Sequence, residues 1–257
     1  MGTMPTTKYQ AVIFDLDGTA IPSTPNGAPS SAVIQAVQRA QASGLKLCAA
    51  TGRAITKAAY ILELLKLTDP CVISAGTQIV DPLSHQILWE VVIDREALAD
   101  VLQLGASYPY ETLMGNEVLG EGRPAIQRVT RDGVNVVYIM GCSQTDAKAL
   151  LAGLAKIPGI TAASVGSWTH QGVDLHITDS RATKEHAIAE LLRMLEVPKK
   201  ATVGVGDGDN DVHLFRGVGH KIAMGNATEL LKSQADEVCP NVDDDGLANV
   251  LDKLIAA

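Results

Sequence analysis

At 257 residues, 46% apolar and 19% charged, the chain is long enough for one large or two modest globular domains with a real core. Its 29 acidic residues outnumber 21 basic ones, and the formal charge of −8 argues against a nucleic-acid or anionic-membrane partner. Aromatics make up only 4%, too few for a base-stacking platform. No run reaches the roughly 18 apolar residues of a membrane span. Met1 to Gln10 carry no apolar signal segment, so a cytoplasmic location is expected. Cys48, Cys71, Cys142 and Cys239 are scattered without a Cys-x-x-Cys pair and read as small buried hydrophobes.

The first strong element is Ala11-Val12-Ile13-Phe14, followed at once by Asp15-Leu16-Asp17-Gly18-Thr19. A short apolar run bounded by turn residues reads as a fully buried strand of a parallel sheet. Two carboxylates at its end are costly if buried, which suggests a cation and a reacting centre, with a solvated Asp-Gly turn as the alternative. Ile21 to Ser31, rich in Pro, Ser, Asn and Gly, is a loop. Ser30 or Ser31 can cap a helix carrying Val33, Ile34, Val37 and Ala40, which stops at Gly44. Leu45 to Ala50 is a second buried strand, ending in Thr51-Gly52-Arg53. A helix with Ile55, Ala59, Leu62 and Leu65 follows, then a third strand at Cys71 to Ser74. This alternation predicts a parallel α/β sheet.

From about Val80 to Ser180 the rhythm changes. Strands are predicted at 87–92, 135–140 and 173–178, and helices at 95–105 and 145–155. Such grouping predicts a smaller α+β domain inserted into the first. At Thr183 the first rhythm returns. A capped amphipathic helix holds Ala187, Ile188, Leu191, Leu192 and Leu195, and a strand at 201–205 ends in Gly206-Asp207-Gly208-Asp209-Asn210-Asp211. Short strands at 220–224 and 237–239 and a helix from Gly246 complete the chain. The expected division is a discontinuous core of 1–80 and 181–257 around a cap of 81–180.

In a parallel sheet the carboxyl ends of the strands share one edge, so the three polar clusters converge. Several carboxylates together repel unless a hard cation joins them, and oxygen-only ligands favour Mg2+ over Zn2+. The Thr51 hydroxyl and nearby backbone N–H groups can hold phosphate oxygens. Lys184, in the first turn of the helix after the insertion, is best placed to balance the charge, with Lys199 and Lys200 as rivals. Other motifs fail. Asp209 stands where G-x-G-x-x-G needs its third glycine, and Val212 and Val218 stand where a calcium loop from Asp207 needs Gly and Glu. The acidic run at 241–246 follows a short strand, not a helix, and reads as a loop before the last helix.

Asp15-Leu16-Asp17-Gly18-Thr19, Thr51-Gly52-Arg53, Lys184 and Gly206-Asp207-Gly208-Asp209-Asn210-Asp211 resemble, in order, the four motifs of the haloacid dehalogenase-like phosphatases. Met224-Gly225-Asn226-Ala227 further resembles the Cof-type sugar-phosphatase branch, which carries an α/β cap between the second and third motifs. The resemblance spans the chain. It implies a Rossmann-like parallel-sheet core with the inserted cap, and a Mg2+-dependent phosphatase acting on a small phosphorylated metabolite, a sugar phosphate first. It implies Asp15 as the nucleophile that forms an aspartyl-phosphate, and Asp17 as general acid and then base. Thr51 and Lys184 would hold the phosphoryl oxygens, and Gly52 would let the backbone approach them. Asn210 would touch substrate or a ligand water, and Arg53 would bind substrate or form a salt bridge at the helix start. Asp15, the Asp17 carbonyl and Asp207 would ligate Mg2+, with Asp211 supporting them. Phosphomutases share this cap class, so a mutase and a non-catalytic binding protein are the alternatives. Two positions depart from the family pattern. Ala20 replaces a Leu, and Ser74-Ala75-Gly76-Thr77 replaces an Asn-Gly that normally puts an amide near the site. Arg123, Arg131, Trp168, His170 and His176 are the cap candidates for specificity, His176 reading as a packed histidine of an apolar strand.

Overall fold

The computed structural model describes residues 9–24, 27–114, 117–119, 133–167 and 171–256. In chain order its first half of the core comprises β1 (Ala11–Phe14), α1 (Ser31–Ala42), β2 (Lys46–Ala49), α2 (Ile55–Leu65) and β3 (Cys71–Ile73). A hairpin of β4 (Gln78–Val80) and β5 (Ile87–Glu90) follows. Next come α3 (Arg95–Gly105), β6 (Glu111–Met114), β7 (Glu117–Leu119), β8 (Val136–Cys142), α4 (Gln144–Leu154), β9 (Ile160–Gly166) and β10 (Val173–Asp179). The chain closes with α5 (Lys184–Leu195), β11 (Thr202–Gly206), α6 (Val212–Gly217), β12 (His220–Ala223), α7 (Glu229–Lys232), β13 (Glu237–Val238) and α8 (Gly246–Ala256).

Every residue of β1 is buried, as its unbroken apolar run requires, because it lies at the centre of a parallel sheet ordered β13-β12-β11-β1-β2. The register sets Phe14 level with Val205 on one side and Ala49 on the other. The three loops that follow these strands therefore start at the same height on one edge. Helices flank the sheet, α1 packing on α2 and α8 and α5 on α6. Their starts follow local chemistry. The Ser30 hydroxyl accepts the Val33 N–H at 3.1 Å, and Thr183 caps α5 by accepting the His186 N–H at 3.4 Å.

The third predicted strand differs from expectation. β3 meets the parallel sheet through a single bridge, Ala50 to Val72, and then forms an antiparallel sheet with β4 and β5. The cause is local. Ser74, Ala75 and Gly76 all adopt positive φ, at 51°, 60° and 97°, which turns the chain back on itself. The strand predicted at 87–92 is β5, and Trp89 on it packs against the hydrophobic core of the parallel sheet.

The cap sheet is antiparallel, in the order β7-β6-β8-β10-β9. Its own core joins Val137, Ile139, Leu175 and Ile177 to Leu98 and Val101 of α3 and Leu150 and Leu154 of α4. A buried hydrogen bond of 2.9 Å from the Asn135 amide to the Thr77 hydroxyl ties the cap to the turn after β3. All four cysteines are free and buried, and among the described residues no helix is long and apolar enough to cross a membrane.

Gly76 sits against the first turn of α5, where an added Cβ would collide with the Lys184 backbone nitrogen. With φ at +97° as well, Gly76→Ala should lower unfolding stability by more than about 1 kcal/mol. Denaturant unfolding with an unchanged midpoint would show that this turn yields freely.

Candidate active site

Lys184 is the hub of the site. Its Nζ donates to Asp15 Oδ1 at 2.7 Å and to Asp211 Oδ1 at 2.6 Å, with all three side chains buried. β1 delivers Asp15, the first turn of α5 delivers Lys184, and the loop after β11 delivers Asp211. Burial alone would pull the lysine down, but the two carboxylates outweigh it and hold it above its ordinary value. The rivals Lys199 and Lys200 lie before β11, at the opposite end of that strand, where Lys199 donates to the Arg216 carbonyl.

The second oxygen of Asp211 accepts the Asp207 N–H at 3.0 Å and the Gly208 N–H at 3.1 Å, fixing the loop that carries Asp207. Thr19 donates to Asp207 Oδ1 at 3.2 Å. Gly18, at φ +76°, passes so close to Asp207 that a Cβ would strike the carboxylate. The Asn226 amide holds the Gly18 carbonyl at 2.8 Å, and its own oxygen accepts the Val242 N–H at 2.8 Å.

Asp15, Asp207 and Asp211 place one carboxylate oxygen each within 4.8 Å of the others, a group that could hold a metal ion. Three carboxylates close to one buried ammonium carry excess negative charge when ionised, which a divalent cation would offset. The donor set is all oxygen, so the residues fit such an ion. Asp207 is pushed up to about 7, chiefly by burial and then by Asp211, and burial also lifts Asp15 well above the usual carboxylate range against the pull of Lys184.

The Asp17 side chain lies outside this cluster. Arg53, just before α2, forms a salt bridge to both of its oxygens, Nε at 2.8 Å and Nη2 at 2.5 Å, and its Nη1 also reaches the Lys57 carbonyl in the first turn of α2 at 3.5 Å. Thr51 is fully buried, and its hydroxyl accepts the Arg53 N–H at 3.1 Å, shaping the turn that brings Gly52 and Arg53 to the cavity. Asn210 lines the same cavity beside Asp15, Asp17 and Asp207.

Sequence reasoning did not single out Thr19, Asn226 or Tyr138. Thr19 and Asn226 stood inside quoted motifs, and only the folded loops show what they hold. Tyr138 reaches from the cap with its hydroxyl 3.4 Å from the Gly52 carbonyl, a contact across 86 positions that no local pattern signals. His176 packs edge-on against Tyr138, ring centroids 4.8 Å apart, and also lines the cavity. Arg123, Arg131, Trp168 and His170 lie outside the described residues.

Two tests follow from this charge arrangement. Lys184→Met would strand Asp15 and Asp211 in a buried space, and denaturant unfolding should show a loss of about 3–5 kcal/mol; near-native stability would contradict the hub. In metal-free protein, Asp207 keeps a proton in the folded chain that the unfolded chain has released. Its contribution to stability therefore falls as pH rises from about 4 to 7. Relative to Asp207→Asn, wild-type Tm should decline across that window, and an added divalent cation should restore more at pH 8 than at pH 5. Parallel curves for the two proteins would remove the assignment.

The haloacid dehalogenase-like hydrolase family model matches residues 12–118 and 126–251. Phosphatase YwpJ of Bacillus subtilis is 25% identical, with 95% of this chain and 99% of that protein aligned. Phosphoglycolate phosphatase 1 of Saccharolobus solfataricus is 36% identical over 84 residues, which span 33% of this chain and 37% of that one. The solved structure of the HAD subclass IIB sugar phosphatase BT4131 superposes with a TM-score of 0.78 at 21% identity, covering 95% of this chain and 98% of that one. With the carboxylate cluster and its lysine in place, the chain belongs to the haloacid dehalogenase-like hydrolase family, as a Cof-type phosphatase and so a phosphoric monoester hydrolase.

Proposed function

We propose that the protein hydrolyses the phosphate monoester of a small phosphorylated metabolite with Mg2+, through a phosphoryl group carried on Asp15. The observation that carries this reading is the buried Lys184 ammonium between Asp15 and Asp211, beside Asp207. A sugar phosphate is the first candidate substrate, because the structural relative BT4131 is named a sugar phosphatase. The core of 1–80 and 181–257 supplies the chemistry and the cap of 81–180 the selection.

Asp15, Asp207 and the Asp17 backbone carbonyl would hold Mg2+, with Asp211 anchoring Lys184 and the Asp207 loop. Bound there, the ion supplies positive charge opposite the phosphoryl oxygens. Asp15 attacks phosphorus, and the bond to the ester oxygen breaks. Asp17 delivers a proton to the departing alcohol, then takes one from the water that cleaves the phosphoryl group from Asp15. Lys184 and Thr51 stabilise the phosphoryl oxygens as charge shifts. Arg53 orients Asp17, and one carboxyl oxygen must turn from it to reach the leaving oxygen.

Activity should vanish with a chelator and return with Mg2+, measured as inorganic phosphate released. Release without any sugar bisphosphate separates a phosphatase from a mutase. Asp15→Asn should lose about 10³-fold or more, at least about 4 kcal/mol of transition-state stabilisation. Asp17→Asn, mixed with an activated aryl phosphate and rapidly quenched, should carry one phosphoryl group on the Asp15 peptide by mass spectrometry. A label on Ser, Thr or His, or a near-native rate for Asp15→Asn, would sink the mechanism.

A further inference from the structure

Among the described residues, the cap sheet presents Leu113, Met140 and Val165 to the site beside the Tyr138 and His176 rings and Ser167. Strand alternation sends Val137, Ile139, Leu175 and Ile177 toward the cap helices, so the residues between them face the core domain. The register aligns Leu113, Tyr138, His176 and Ala163 in one row across β6, β8, β10 and β9. Met140 and Val165 stand two residues further along β8 and β9. Leu113, Tyr138, Met140, Val165 and His176 roof a cavity of about 620 Å3 whose floor holds Asp15, Asp17 and Asp207. A cavity of that size takes a whole small metabolite, beyond its phosphate.

The two walls differ in chemistry. The floor carries the carboxylates, Arg53 and the backbone at Gly52 for a phosphate and its ester oxygen, and its polar side chains, Lys57 and Asn210 among them, lie on the core side, away from the roof row. In the roof row His176 is the one side chain with a ring nitrogen, and it is held edge-on by Tyr138 directly above Gly52. Burial draws its pKa down to about 4, so it stays a neutral imidazole at neutral pH. A hydroxyl pressed against Leu113, Met140 or Val165 would give up water and gain no partner there. A flat ring or hydrocarbon body would bury apolar surface against the same atoms.

We infer that the cap selects phosphate esters whose alcohol presents an aromatic or hydrocarbon face, over fully hydroxylated ones, with Leu113, Met140 and Val165 as specificity-determining residues. The inference rests on the phosphatase reading and narrows its substrate class. A sugar phosphate satisfies it only when the body also carries an apolar face.

The test compares 2-phenylethyl phosphate with glucose 6-phosphate on the full-length enzyme with Mg2+. Both are primary alkyl monoesters, so leaving-group chemistry is closely matched. The phenylethyl ester should show kcat/KM at least about tenfold higher. Met140→Gln and Val165→Asn, at partly exposed cavity positions, should shrink that ratio mainly through KM. A second measurement needs no turnover: calorimetric binding of 3-phenylpropylphosphonate and of the phosphonate isostere of glucose 6-phosphate to the wild-type protein. Tighter binding of the phenyl compound supports the inference. Equal or tighter binding of the glucose isostere overturns it, whatever the turnover. A preference unchanged by both substitutions overturns the assignment to Met140 and Val165. Absence of phosphate release from either ester, with the binding preference intact, would overturn the phosphatase reading alone.

Discussion

A single buried ammonium ties this molecule together. Lys184 joins Asp15, 169 positions earlier, to Asp211, 27 positions later, and both carboxylates are buried. Isolated buried charges are costly, so the three groups must keep their mutual geometry or lose far more than one hydrogen bond. The constraint spreads outward. Asp211 uses its other oxygen to set the Asp207 loop, and α5 can bring Lys184 into place only because Gly76 lets its first turn approach. The parallel sheet supplies the common edge, and the lysine fixes the spacing along it.

The cap is joined to this edge by two kinds of contact. The Asn135–Thr77 hydrogen bond is buried at the linker, and Tyr138 meets the Gly52 carbonyl above the cavity. An antiparallel sheet need bury only one face in its own core. Here the helices α3 and α4 take one face, which leaves the other to lie over the carboxylates. The same strand alternation that builds the cap core therefore builds the roof of the site.

Much of the carboxylate-lined edge was legible in the sequence, because apolar strands that run into Asp, Thr or Gly-Asp clusters are hard to explain as packing alone. Lys184 was preferred over Lys199 and Lys200 from its place at the start of a helix, and the structure buries it between Asp15 and Asp211. The turn after β3 was not legible. Ser74 and Ala75 are not residues that announce positive φ, and tertiary contacts to β4 and α5 impose it. β6, β7 and β9 were also missed. Ile160–Gly166 is rich in small residues and largely unburied, so it shows no apolar alternation. The partner of Arg53 was equally hidden, since an ion pair to Asp17 spans 36 positions.

The discontinuous layout of the core also orders events during synthesis. The Asp15 and Thr51 loops emerge early, while Asp207 is made late and meets Thr19 only across 188 positions. Until β11 pairs with β1, the chain has a nucleophile candidate but neither its lysine nor its carboxylate partners in place. The cap, whose strands and helices contact one another within a contiguous stretch, can fold first and shorten the loop that the β1–β11 pairing must close. The buried cluster of Asp15, Lys184 and Asp211 is therefore complete only once the last parallel strands have docked.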